Sequence, residues 1–177
     1  MSDANKFVFN VAFTVPVNDQ PDGPIITLEE FWRGLKVGGE RPHLFADYVA
    51  GTEILPSRKS KNEFQRKLVM ADGAVHTAKN VELLQDVRNA DNILTEAITV
   101  GSGARSTMLI SRGGHESDGP EVLYLTAIYE LHVPDVAPGS DKAKEIERDY
   151  AKLAQGAART VVATIRKWKL EGGLEEP

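Results

Sequence analysis

One stretch near the end of the chain constrains the fold more than anything else in it. From Ser140 to about Leu170, the residues Ile146, Tyr150, Leu153, Ala157, Val161, Ile165 and Trp168 recur at spacings of three and four. That is the period of one face of an α-helix. At 1.5 Å per residue such a helix is roughly 45 Å long. Ser140 or Asp141 can cap its start. Arg166, Lys167 and Lys169 suit the negative end of its dipole, and Gly172-Gly173 stop it. A helix this long with a single apolar stripe needs a comparably long apolar surface to lie on, which the rest of the chain must supply.

The rest reads mainly as strands. In residues 7–17, Phe7, Phe9, Val11, Phe13 and Val15 fall on one face and Asn10 and Thr14 on the other, a half-buried strand by its period of two. Further strands are expected near Tyr48–Leu55, Glu63–Met70, Val75–Leu84, Asn92–Val100, Thr107–Ser111 and Val122–Val133. Asp72-Gly73 is read as a hairpin turn. Gly101-Ser-Gly103 and the run Gly113–Gly119 read as turns by composition. Between the first strand and the others, Thr27-Leu-Glu-Glu30 is a capping box. It predicts a short helix from Leu28 to about Val37, with Phe31, Trp32 and Leu35 buried and Gly38-Gly39 ending it. Pro42–Phe45 reads as a second short helical turn.

The order is strand, two short helices, about six strands, long helix. This implies an α+β fold in which an antiparallel sheet packs against one long helix. At 177 residues with no linker composition, residues 1–177 read as a single domain. A strongly twisted sheet gripping so long a helix leaves space between the two layers.

Composition narrows the function classes. There is no cysteine, which excludes disulfides, thiolate catalysis and cysteine-ligated metals. With 21 Lys and Arg against 26 Asp and Glu, the net charge is −5, which argues against nucleic acid or an anionic membrane as partner. No apolar run is long enough to span a bilayer. The N-terminal residues lack the pattern of a secretory signal, so the cytoplasm is the expected location.

Five stretches carry a resemblance to a known group. They are Asn10-Val-Ala-Phe-Thr-Val-Pro-Val-Asn18, the Leu28–Leu35 helix with Trp32, Asn62-Glu63 with Arg66, Leu123-Tyr-Leu-Thr126, and Tyr129-Glu-Leu-His132 followed by Pro134. Together they resemble the helix-grip fold of the START/SRPBCC superfamily, which includes the birch-pollen allergen and many aromatic polyketide cyclases. Within it, the chain is similar to the AtaL-like family. The resemblance implies a curved sheet of about seven strands around the C-terminal helix. It brings no agreed catalytic motif to transfer.

Motif chemistry is sparse. The four histidines, His43, His76, His115 and His132, have no metal-seating spacing. His115-Glu116-x-Asp118 reads as a solvated turn. Gly101-Ser-Gly-Ala-Arg105 lacks the phosphate-loop spacings and precedes a strand rather than a helix. Arg58-Lys59-x-Lys61 reads as a loop tip. No serine elbow is present. Neither a metal nor a cofactor is expected.

The informative groups are polar residues on otherwise apolar strand faces. Arg66 shares a face with Phe64, Leu68 and Met70. Glu96 shares one with Leu94, Ile98 and Val100. If both faces point inward, an Arg and a Glu lie inside the sheet. They are then a structural ion pair, or a ligand anchor and general acid/base in a catalytic role. A one-residue register error would put them in solvent instead. Residues expected to line a ligand cavity are Phe13, Trp32, Phe64, Leu68, Leu94, Ile98, Leu125, Tyr129, Tyr150, Leu153 and Ala157. Ala154, Gly156, Ala157 and Ala158 keep the long helix thin, for close packing or for a ligand.

Three functions remain open at this level. The first is binding of a small hydrophobic or aromatic molecule, such as a secondary metabolite or its intermediate, in an apolar cavity. The second is a cofactor-free cyclase or isomerase acting on such an intermediate. The third is a regulatory interaction module. The oligomeric state is left open.

Overall fold

The computed structural model describes residues 7–20, 23–56, 59–74, 80–113 and 122–174. Seven strands form one antiparallel sheet: β1 (Phe7–Pro16), β2 (Val49–Ile54), β3 (Glu63–Met70), β4 (Glu82–Ala90), β5 (Leu94–Thr99), β6 (Arg105–Arg112) and β7 (Leu123–Val133). Their order across the sheet is β1-β7-β6-β5-β4-β3-β2. Consecutive strands from β2 to β7 are neighbours, and β1 closes the far edge against β7. Helix α1 (Leu28–Glu40) and a 3-10 turn (Pro42–Leu44) separate β1 from β2, and α2 (Asp141–Leu170) ends the described chain.

The long helix forms where the stripe places it. Ser140 accepts a hydrogen bond from the Ala143 backbone N–H, and Lys167 and Lys169 lie in the last turn. Its buried residues, among them Ile146, Ala154, Ala158, Val161 and Ile165, face β1, β7 and α1. Two polar ties fix its C-terminal half. The buried Arg166 donates to the carbonyls of Val17 and Pro24, and Lys169 pairs with Glu30. No helix among the described residues is long and apolar enough to cross a membrane.

Helix α1 begins at the expected capping box, with Thr27 and Glu30 exchanging hydrogen bonds. It does not stop at Gly38-Gly39 but runs on to Glu40, and ends where Pro42 forbids continuation. The glycine pair serves packing instead. A Cβ at Gly38 would stand 2.6 Å from the Phe45 ring.

The fourth strand also differs from its expected position. Residues 75–79 lie outside the described residues, and β4 begins only at Glu82. Asp72-Gly73 does turn, with Gly73 at φ +80° and the Ala74 N–H donating to the Ala71 carbonyl. That turn opens a longer connection, because the Met70 N–H pairs with the Val81 carbonyl. The alternation that builds β4 is Gln85, Val87, Asn89, three buried residues of which two are polar. An apolar pattern search passes over such a strand.

Candidate functional site

The sheet curves enough to bring its distant strands together. Tyr48, just before edge strand β2, reaches Tyr129 on β7, and their hydroxyls lie 3.3 Å apart. Four strands lie between β7 and β2 in the sheet, so this contact spans the concave side. Beneath it lies a cavity of about 190 Å³. Its walls are the inner faces of β3 to β7, the end of α1 with Pro42 and Phe45, and the α2 residues Tyr150, Leu153, Ala157 and Val161. An apolar cavity of about 150 Å³ is enough to hold benzene, so this one is of a size for one or two fused rings.

Small residues make the room. On β5 the inward positions are Thr95, Ala97 and Thr99, and on α2 the facing residue is Ala157. Large aliphatics at these positions would close the space by ordinary close packing.

Polar groups gather along one row of the floor. Arg66, Gln85 and Thr99 are successive cross-strand partners on β3, β4 and β5. The Gln85 amide donates to Thr99 Oγ1 at 3.2 Å, which turns its carbonyl oxygen toward Arg66. That oxygen accepts from Arg66 Nε at 3.0 Å and from Nη2 at 2.8 Å. Arg66 Nη1 donates to the Gly39 carbonyl at the end of α1. Arg66 is 5% exposed, and no carboxylate among the described residues pairs with it. Burial pushes its pKa down to about 10, opposed by the nearby Tyr48 phenol, so it remains a cation at neutral pH.

The phenols are the second polar feature. Tyr129 and Tyr150 meet edge-to-face with ring centroids 6.3 Å apart. Burial raises the pKa of Tyr48, Tyr129 and Tyr150, most strongly for Tyr129. All three are therefore neutral O–H groups at neutral pH. The described lining contains no Asp, Glu or His. Of the two arginines in the lining, Arg105 pairs with Glu96 and Glu130, so the described lining offers Arg66 as its cation without a carboxylate partner, several hydroxyl donors and no side-chain base. No group of three or more His, Asp or Glu among the described residues is placed to hold a metal.

The expected site residues divide into three sets. Arg66, Leu68, Tyr129, Tyr150, Leu153 and Ala157 line the cavity together. Phe13, Trp32 and Leu125 belong to the packed core, and Phe64 packs with Val87 and Ala97; none of the four is in the lining. Leu94, Glu96 and Ile98 lie on the outer face of β5, because Thr95 and Ala97 take the inner one. The expected meeting of Arg66 and Glu96 therefore does not occur. Glu96 lies between Arg88 at 3.5 Å and Arg105 at 3.6 Å on the convex side. Gly156 is exposed, with nothing within 4 Å of where its Cβ would stand, so it opens no space in the cavity. His115-Glu116-x-Asp118, His76 and Arg58 lie outside the described residues.

Residues that sequence reasoning missed include Tyr48, Gln85 and Thr99. Gln85 and Thr99 carried a signal only in retrospect. Each is the cross-strand neighbour of the next in a row that begins at Arg66, which could be seen only with β4 and β5 in register.

A curved antiparallel sheet gripping a long C-terminal helix, with a cavity between the two, defines a helix-grip protein. Solved structures share this architecture. The chain matches the crystal structure titled Ara h 8.0201 with TM-score 0.56 and 11% identity, covering 93% of this chain and 99% of that one. It matches a START superfamily protein from Mycobacterium smegmatis with TM-score 0.64 and 13% identity, over 89% and 97% of the two chains. It also matches the di-domain ARO/CYC StfQ of the steffimycin biosynthetic pathway, with TM-score 0.64 and 10% identity over 93% of this chain and 52% of the other. At these identities the likeness is one of fold. Closer kinship is direct. Residues 11–172 match the family model described as AtaL, acetylaranotin biosynthesis cluster protein L. The protein of that name from Aspergillus terreus is 62% identical over 176 residues, 99% of each chain. The chain belongs to the AtaL family.

Proposed function

We propose that the protein binds a small, largely apolar, ring-containing molecule in the cavity between the sheet and α2. The supporting observation is the character of that cavity: apolar walls with a few convergent donors and no side-chain base among its described lining. Ligand pockets have this composition, the apolar surface providing affinity and the few polar groups orientation. The name of the Aspergillus terreus relative suggests a secondary metabolite or its biosynthetic intermediate as the ligand.

A second reading is a cofactor-free cyclase acting on such an intermediate, in keeping with the StfQ title. Arg66 and the neutral phenols would then stabilise an enolate oxygen as it forms. The proton to be removed would have to leave to solvent or to another group of the substrate, since the described lining provides no base.

Calorimetric titration with 2-acetonaphthone, a neutral two-ring probe, tests the binding reading. Saturable binding in the micromolar range, about −8 kcal/mol, is expected. The absence of saturable binding both of this probe and of its acidic analogue 2-naphthoate, at solubility-limited concentration, would overturn it.

A further inference from the structure

Resting on that reading, we infer that the ligand carries an acidic group, a carboxylate or an equally acidic oxygen, and that Arg66 is its counter-charge. Three observations lead there. First, Arg66 is a buried cation whose partners are neutral: two N–H groups go to Gln85 and one to the Gly39 carbonyl. The α1 terminus behind Gly39 offers only a partial negative charge. A buried full charge is costly unless an opposite charge meets it. Second, a guanidinium has five N–H donors in a fixed fork. Three are engaged among the described residues, which leaves one N–H on each Nη of a side chain that lines the cavity. Two N–H groups of one guanidinium can serve a two-oxygen anion. Third, Tyr48 adds a neutral hydroxyl near the same cation. It shares one hydrogen bond with Tyr129, and two phenols sharing one bond keep one O–H to donate.

The row that holds Arg66 reads as a support for this role. Thr99 orients Gln85, and Gln85 orients the guanidinium through Nε and Nη2. The cation is thus desolvated and fixed before any ligand arrives, so an entering anion gains its attraction without first ordering that side chain. A purely structural arginine capping α1 would need the Gly39 contact but not a place in the cavity wall. The surrounding surface is apolar, so the inferred ligand is an amphiphilic aromatic or alicyclic acid with its ring against Leu68, Leu153 and Ala157.

Two near-isosteric probes test this: 2-naphthoate and 2-acetonaphthone, which differ in carboxylate against methyl ketone. Calorimetric titration of the purified wild-type protein at neutral pH should give a preference for naphthoate of roughly tenfold or more, the scale of a charge-assisted over a neutral hydrogen bond. In Arg66→Met the preference should vanish while acetonaphthone binding survives. In Arg66→Lys, which keeps charge but loses the fork, part of it should remain. Equal affinity of the two probes for wild type, or a preference that survives in Arg66→Met, overturns the inference and leaves the cavity reading standing. Binding of neither probe overturns both. The wild-type comparison decides the matter even if Arg66→Met does not fold.

Discussion

Ala157 and Gly156 are adjacent on α2, but the first is buried at the cavity and the second is exposed, so changing each separates stability from binding. Ala157 lines the cavity, whereas Gly156 meets nothing within 4 Å of its Cβ position. At about 24 cal/mol per Å³ of cavity, a void of about 190 Å³ represents about 4–5 kcal/mol of contacts the empty protein lacks. Ala157→Phe puts a ring into that void. Imperfect fit costs about 1–3 kcal/mol, so a net stabilisation of at least about 1 kcal/mol is expected. Gly156→Ala removes a mid-helix glycine from the solvent face of α2 and should also stabilise by about 1 kcal/mol. For a chain of 177 residues, 1 kcal/mol moves Tm by about 3 °C. Both variants should therefore melt a few degrees above wild type by circular dichroism. Their affinity for 2-acetonaphthone should differ. Ala157→Phe should lose at least roughly tenfold, and Gly156→Ala should bind as wild type. Unchanged binding by Ala157→Phe, or lost binding by Gly156→Ala, would refute the placement of the ligand against α2.

Two further outcomes follow from ion pairs away from the cavity. Glu96→Gln should cost no more than about 1 kcal/mol in urea unfolding, because its partners Arg88 and Arg105 are about half exposed; the loss should shrink in 1 M salt, and probe binding should not change. Glu30 has a pKa held below its ordinary 4.5: burial pulls it upward, but Lys169 and the Thr27 capping contacts outweigh this. A depressed carboxylate adds stability that is complete above the unfolded-state pKa and lost as pH falls below it. Glu30→Gln should thus be less stable than wild type by about 1 kcal/mol at pH 7, and the gap should close as pH falls from about 4.5. A gap independent of pH would show that shape rather than charge is at work.

The architecture was legible because its elements carry strong periodic signals. The α2 stripe, the alternation of β1 and the inner face of β7 all place large apolar residues where the core needs them. The cavity was legible only in part, for a physical reason. A strand that lines a space for a ligand carries small or polar side chains inward, as Thr95, Ala97 and Thr99 do on β5. Its larger aliphatics, Leu94 and Ile98, then lie on the outer face, where Leu94 pairs with Leu109. Reading the more apolar face as the buried one therefore inverted β5 and drew Glu96 inward. On β4 the same effect hid the strand itself, since Gln85 and Asn89 occupy two of its three buried positions. β3 escaped the inversion because Phe64 and Leu68 flank Arg66 on its inner face.

These inversions and the inferred ligand share one cause. A fold that simply maximised its own stability would set large aliphatics on the inner faces of β3, β4 and β5, and would replace the buried arginine with a residue of similar shape and no charge. This chain instead keeps about 190 Å³ open and holds a guanidinium on neutral oxygens beside it. Each feature alone lowers the stability of the empty protein. One molecule with an apolar ring and an acidic end relieves both at once, filling the space and meeting the charge. The two costs lie within one cavity, on neighbouring positions of three paired strands, and a single occupant accounts for the pair more simply than two unrelated structural reasons.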